Sequence, residues 1–347
     1  MMDHIAEGGD VFMDVLGKFA DQGKEINMLK PFQGLTMDYI GRAAFGIDTS
    51  FQNDLNNPFF IMAQRTLKEV MIGPFHMLAR VRKTRALSSE EVIMNSTILF
   101  VGGFDTSATT LCFITYALGK YPDVQEKVRQ EVNEVLNEGG SLDYETVTKK
   151  LKYVIQVINE ALRMWPPGLT FTTRQAKEDF EYQGIKYKAG TCIMSPVAVI
   201  HMDERFFPDP TKFDPDRFSE ENEGSIPKLA FQPFGMGPRN CLGLRLAYLD
   251  LAYTVARMAQ NFRWELGESQ KASTSRKITL NHSTLLLFWP TSRPDLNSTN
   301  TKLEPNVCRE RRLKFGAKER RPLRQSLLGV LRQLRLYVSH DTFNVRL

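Results

Sequence analysis

At 347 residues, with 42% hydrophobic and 24% charged positions, the chain has the composition of a soluble, core-bearing protein of one large domain or two. Its four cysteines, Cys112, Cys192, Cys241 and Cys308, lack paired or zinc-like spacing, which excludes a disulfide scaffold and favours a reducing compartment. The net charge of +5 misleads, because residues 291–347 hold 13 Lys/Arg against 5 Asp/Glu and leave the rest with 32 against 35.

In chain order, Ile5, Val11, Phe12, Val15, Leu16 and Phe19 make a helical stripe from Met2 to about Ala20, broken by Gly8-Gly9. A second helix is predicted over Phe32 to Phe45, ending at Gly46, with an Asn- and Asp-rich loop up to Pro58. Ser88-Ser89-Glu90-Glu91 has the capping-box pattern and starts a helix that runs to about Lys120. Inside that helix lies Val101-Gly102-Gly103-Phe104-Asp105-Thr106-Ser107. Two glycines in a helix interior cost about 1 kcal/mol each relative to alanine, so they need a reason. Close packing against another backbone is one. A helix opened beside a ligand, with the Thr106 hydroxyl and Asp105 carboxyl next to the opening, is the other.

Pro122-Asp123 opens a further helix with Val124, Val128, Val132 and Val135 on one face, ending at Gly139-Gly140. Another runs from about Leu151 to Met164 and stops at Trp165-Pro166-Pro167. Its Glu160 and Arg163 stand at i and i+3, on general grounds an ordinary exposed pair. Phe180 to Tyr187 alternates around a glycine turn, and Thr191 to Val199 reads as a further strand. His201, a lone histidine, reads as a packed turn residue. No uninterrupted apolar run approaches the ~18 residues that span a bilayer, and Met1-Met2-Asp3-His4 is no signal-peptide start, so no anchor is expected.

The stretch from Phe231 to Gly243, Phe-Gln-Pro-Phe-Gly-Met-Gly-Pro-Arg-Asn-Cys-Leu-Gly, organises the rest. Its thiol, Cys241, stands before a long apolar segment, Leu244 to Phe262, that reads as a buried helix. Unpaired N–H groups and the positive helix end there favour the thiolate, the form that ligates metal. The glycines around it let the backbone approach something flat and bulky, and Arg239 is a cation for an anionic group on that object. Taken singly, a lone cysteine is a small buried hydrophobe. A glycine-rich basic loop can also cradle phosphate, but the Gly-Lys-Ser/Thr ending of a P-loop is absent.

Taken whole, Phe-Gly-x-Gly-x-Arg-x-Cys-x-Gly from Phe234 to Gly243 resembles the haem-thiolate loop of the cytochrome P450 family. The resemblance implies a mainly α fold with a small antiparallel β-sheet, and haem b (iron protoporphyrin IX) with Cys241 as axial iron ligand. It further implies that Phe234 shields the sulfur and that Arg239 and Arg174 pair with the haem propionates. Gly102-Gly103 with Asp105 and Thr106 resembles the family's distal-helix motif, so Thr106 hydrogen-bonds dioxygen and relays protons together with Asp105. Gly102, Gly103 and Gly243 are read with it as haem-contacting positions, and Thr170 to Thr173 as lining the substrate side. Glu160 and Arg163 before Pro-Pro, with Arg217 in Phe213 to Phe218, resemble the family's buried structural network, which serves folding and haem retention.

The pattern is most similar to microsomal, xenobiotic-metabolising animal members. That likeness implies a monooxygenase inserting one oxygen atom of O2 into an apolar organic substrate, with electrons reaching it from NADPH through a flavoprotein reductase. It also implies the cytosolic face of the endoplasmic reticulum membrane as the setting, with no nucleic-acid partner. Two readings stand beside it: a haem-dependent peroxide rearrangement without a reductase, and a catalytically inactive, truncated family member. The haem domain is placed at 1–284, starting well inside the family's pattern and with an internal deletion near 78–84. Residues 285–347, with a Ser/Asn/Pro-rich linker, the basic run Arg309 to Arg324 and the apolar Leu327 to Leu331, are a basic tail whose pattern resembles no recognised family and are read as sequence foreign to the haem domain.

Overall fold

The computed structural model describes residues 2–23, 25–70, 88–168, 173–222, 224–267 and 344–346. The deletion expected near 78–84, positions Thr170 to Thr172, and the tail other than 344–346 lie outside the described residues. The first helix, α1, spans Met2–Ala20 without a break, so the interruption expected at Gly8-Gly9 is corrected. A Cβ on Gly8 would stand 3.0 Å from Tyr39 Cε1, and one on Gly9 would stand 2.6 Å from Tyr253 Cε1. The glycines are buried where two tyrosine rings lie against α1, and this packing offsets their helix cost.

After the two-residue strand β1 (Ile26–Asn27) comes α2 (Leu29–Phe45), closed by Gly46 at φ 63° with its N–H on the last carbonyls, as the glycine signal predicts. A loop then leads to α3 (Pro58–Val70). The long helix α4 (Ser89–Lys120) starts on a complete capping box. Ser88 Oγ accepts the Glu91 N–H at 3.2 Å, and the Glu91 carboxylate accepts the Ser88 N–H at 2.9 Å. From Phe104 onward α4 is core, with Leu111, Phe113, Ile114, Ala117 and Leu118 fully buried. Among the described residues it is the one helix long and apolar enough to cross a membrane by length and composition, and 61% of that window is buried inside the protein.

The helices α5 (Pro122–Asn137) and α6 (Lys152–Met164) pack beside α4 and against α8 (Leu244–Asn261). An aromatic stack joins them. Phe113 of α4 lies on Trp165 at 5.2 Å and 9°, and Trp165 lies on Phe213 at 6.0 Å, which stacks in turn on Tyr121.

Among the described residues the β content is three small antiparallel sheets rather than one. In the first, β2 (Thr173–Gln175) pairs with β5 (Cys192–Met194). In the second, β3 (Phe180–Tyr182) and β4 (Ile185–Tyr187) form a hairpin around Gln183 (φ 50°) and Gly184 (φ 76°), the two left-handed residues of a tight turn. In the third, β7 (Asn344–Arg346) lies between β1 and β6 (Glu265–Leu266). The strand expected over Thr191 to Val199 is shorter. It ends at Met194 because Pro196 has no N–H for a ladder, and Val197–Ile200 coils into the short helix α7. The architecture is mainly α with small antiparallel sheets, as the sequence predicts.

Candidate functional site

Between Gln232 and Gly243 the backbone folds onto itself. The Gly235 N–H donates to Gln232 O at 3.1 Å, Asn240 N–H to Gly237 O at 3.0 Å, and Cys241 N–H to Phe234 O at 2.8 Å. Gly235 (φ 72°) and Gly237 (φ 76°) occupy the left-handed region that a side chain would strain. The Phe234 ring lies 5.2 Å from Tyr248 of α8, whose hydroxyl donates to Asn159 Oδ1 of α6 at 2.7 Å. The loop is thereby fastened to two core helices.

Cys241 is a free, half-buried thiol, with Gly243 as the residue that caps α8. Burial pushes the thiol above its ordinary range, against the pull of the Gly243 N–H. The expectation that the helix end favours the thiolate is therefore corrected. α8 begins only at Leu244, so the sulfur has one local N–H to set against its loss of water.

On the outer side of this loop, Arg239 is exposed and has no hydrogen-bond or ion-pair partner among the described residues. Arg174, exposed on β2, lies against the loop: its Nη2 donates to Met236 O at 2.7 Å and its Nη1 to Thr173 O at 2.9 Å. Leu242, next to the thiol, is 87% exposed.

In α4 the paired glycines differ. A Cβ on Gly103 would come 2.9 Å from Ile40 Cδ1 of α2, so this glycine serves helix packing against a side chain. Gly102 is exposed, with nothing within 4 Å of the corresponding position. Thr106 Oγ1 donates to Gly102 O at 2.6 Å. Asp105 faces α2 instead, where Gln33 Nε2 donates to its Oδ1 at 2.7 Å and Gln64 Nε2 of α3 donates to Gln33 Oε1 at 2.8 Å. Burial raises the Asp105 carboxyl above its ordinary range, with Gln33 pulling it down. Thr106 and Asp105 are thus neighbours held by different partners. Leu246, in the first turn of α8, packs against the cluster of Phe100 and Phe104, which sets the start of α8 beside this part of α4.

Glu160 and Arg163 are fully buried rather than an exposed pair. Arg163 Nε and Nη2 donate to the two Glu160 oxygens at 2.7 Å each, a bidentate fork. Asp214 N–H adds a third bond to Glu160 at 2.9 Å, and Arg217 Nε stands 3.4 Å from the same carboxylate while its Nη2 donates to Asp209 O. Burial pushes the Glu160 carboxyl up and the Arg163 hydrogen bonds oppose it.

His201 is the packed turn residue that the sequence suggests: it is fully buried and touches both Arg163 and Gln232, two partners for which the sequence carries no signal. Gln33 escaped the sequence reading; with Thr36 and Asp38 it is one of three polar side chains in the buried stretch Pro31 to Gly41 of α2.

The family profile described as Cytochrome P450 matches residues 75–288. The chain is 29% identical to Cytochrome P450 3A17 and 30% identical to Cytochrome P450 3A14, both of Cavia porcellus, and 40% identical to Cytochrome P450 3A31 of Mesocricetus auratus. Each match covers 76% of this chain and 63% of the relative, so the chain spans less than two thirds of these proteins' length. The matches run over 321 or 322 residues yet use 76% of a 347-residue chain, so the relatives hold residues inside the matched span that this chain lacks.

Proposed function

The chain belongs to the cytochrome P450 family, and on that premise we propose that it is a haem-thiolate monooxygenase with Cys241 as the iron ligand. The observation that carries this reading is the loop itself: a half-buried free thiol on a backbone pinned to Phe234, beside an exposed cation, Arg239, that has no protein partner among the described residues. Exposed Leu242 and the open space beside Gly102 and Gly243 fit the apolar face of a flat group.

Haem, when bound, supplies the O2 activation that amino-acid side chains lack. Cys241 would hold the iron as thiolate, since a bound cation reverses the effect of burial on a thiol. Arg239 and Arg174 would pair with the propionates. Thr106 holds a hydroxyl proton beside the open side of Gly102, and the adjacent Asp105, its carboxyl raised above the ordinary range by burial, would be the next group of the proton relay. Gly103 contributes by letting α2 approach α4. Glu160, Arg163 and Arg217 retain the fold around the loop.

The electron source is an NADPH-dependent flavoprotein reductase and the substrate an apolar organic molecule. The setting is the cytosolic face of the endoplasmic reticulum membrane. The haem domain ends near residue 284, and the residues absent relative to the relatives fall near 78–84. The residues that the relatives hold inside the matched span and this chain lacks favour one second reading, a chain that takes up haem and releases it readily.

The test is haem reconstitution of the full chain, read by the carbon monoxide difference spectrum of the reduced protein. A thiolate-type band is expected in the unmodified chain and in Cys112→Ser, Cys192→Ser and Cys308→Ser. It should vanish in Cys241→Ser. A thiolate band that survives Cys241→Ser overturns the assignment. Rapid loss of haem on gel filtration of the unmodified chain supports the second reading.

A further inference from the structure

His201 is a buried titratable group that the proposed chemistry leaves unused. Its ring lies on Phe231 at 5.4 Å and edge-on to Phe207 at 5.9 Å. The Gln232 N–H reaches His201 Nε2 at 3.0 Å. A backbone N–H can only donate, so Nε2 accepts and the ring proton sits on Nδ1. Nδ1 therefore donates to Arg163 O at 3.1 Å. Arg163 returns a bond from Nη1 to His201 O at 2.9 Å. The imidazole is thus neutral, in one tautomer and one orientation. Burial, which lowers its pKa to about 4, agrees with that geometry.

A line of hydrogen bonds continues from Gln232. Its carbonyl accepts the Gly235 N–H at 3.1 Å, and Phe234 O accepts the Cys241 N–H at 2.8 Å. Glu160 and Arg163 at one end and Cys241 at the other are joined through a single ring. We propose that His201 is a positioning residue whose imidazole clamps Gln232 to the buried Arg163 and so sets where the Cys241 sulfur stands. The consequence for haem rests on Cys241 being the iron ligand; the consequence for the loop does not.

The two arms can be separated, because Asn reproduces the Nδ1 position of the ring and Gln the Nε2 position. In the haem-free full chain, His201→Asn should raise amide hydrogen exchange at Gln232 and Cys241 about tenfold, the factor for one lost hydrogen bond. His201→Gln should leave these amides within about twofold of the unmodified chain, by the same scale. Gln232→Pro, which removes the donor and leaves the ring in place, should reproduce at the Cys241 amide the faster exchange expected in His201→Asn. After haem addition, the reduced carbon monoxide band of His201→Asn should lose its thiolate character while His201→Gln keeps it. Unchanged loop exchange in His201→Asn overturns the proposal, as do Asn and Gln variants that behave alike, since the ring is then only core filler. An unmodified chain without any thiolate band counts against Cys241 as ligand alone, and the exchange data still decide the clamp.

Discussion

The two sides of the Cys241 loop are built on opposite principles. The inner side is buried and occupied: Glu160, Arg163, His201 and Gln232 are hydrogen-bonded to one another, and Asp214, Lys212, Ser195 and Leu229 take up further donors and acceptors of the same residues. The outer side is open, with an exposed arginine that has no partner among the described residues and a leucine left 87% exposed beside the thiol. A buried polar group must find its partner within the protein, whereas an exposed one is satisfied by water until a ligand replaces it. The difference teaches where the work of binding falls. The backbone of the loop is held by bonds from within the protein, and its outer side is the part that a ligand would cover.

The sharpest way to break this contrast is to cut the inner side. Arg163→Ala leaves a carboxylate in the interior without its fork, and should destabilise the chain by about 3–5 kcal/mol in urea unfolding. A loss comparable to that of an exposed pair would mean that the inner side is not what holds the loop.

Acid should attack the same side through His201. Its folded pKa, about 4, lies below the ordinary 6.5, so the unfolded chain binds that proton more readily. The contribution is complete above pH 6.5 and declines as pH falls toward 4, amounting to on the order of 3 kcal/mol. Unfolding curves across that window should show the decline in the unmodified chain and a flatter profile in His201→Gln.

Arg239→Ala probes the outer side, and should leave the unfolding midpoint in place while weakening haem binding about 10- to 100-fold, as expected for one charge-assisted hydrogen bond. Equal haem affinity in the two proteins would show that the outer cation binds nothing.

The smallest effect sharpens the comparison within α4. Gly102→Ala meets nothing within 4 Å and should stabilise the haem-free chain by up to about 1 kcal/mol. Gly103→Ala meets Ile40 at 2.9 Å and should gain less or lose. If haem lies against Gly102, the added methyl weakens its binding in a haem titration even as it firms the helix.

Local chemistry was legible in the sequence wherever a short pattern carries its own physics. Ser88 with Glu91, Gly46 at the end of α2, Pro122 at the start of α5 and the turn around Gly184 all stand where their residue types require. The loop from Phe234 to Gly243 was legible as a motif, and its backbone closure follows from its glycines. What failed to show was whatever depends on a partner far along the chain. Gly8-Gly9 reads as a break until Tyr39 and Tyr253 fill the space. Pro196 is the exception, a local stop signal that outweighs the apolar neighbours suggesting a longer strand. The thiol of Cys241 looks acidified from its position before a helix, but burial, a property of the whole fold, moves it the other way. His201 carried no pattern at all, because its role lies in two bonds to residues 38 and 31 positions away.

The stack of Phe113, Trp165 and Phe213 has a practical consequence for observing this molecule. An indole held face to face with one ring at 9° and edge-on to Tyr116 at 83° is locked in an asymmetric array. Such arrays produce near-ultraviolet circular dichroism, which vanishes when side-chain packing is lost even if the helices survive. Trp165 follows Arg163 by two residues, at the end of the helix that bears the ion pair. The protein therefore carries its own chromophore beside the inner network, and a molten form can be told from the native one without any label.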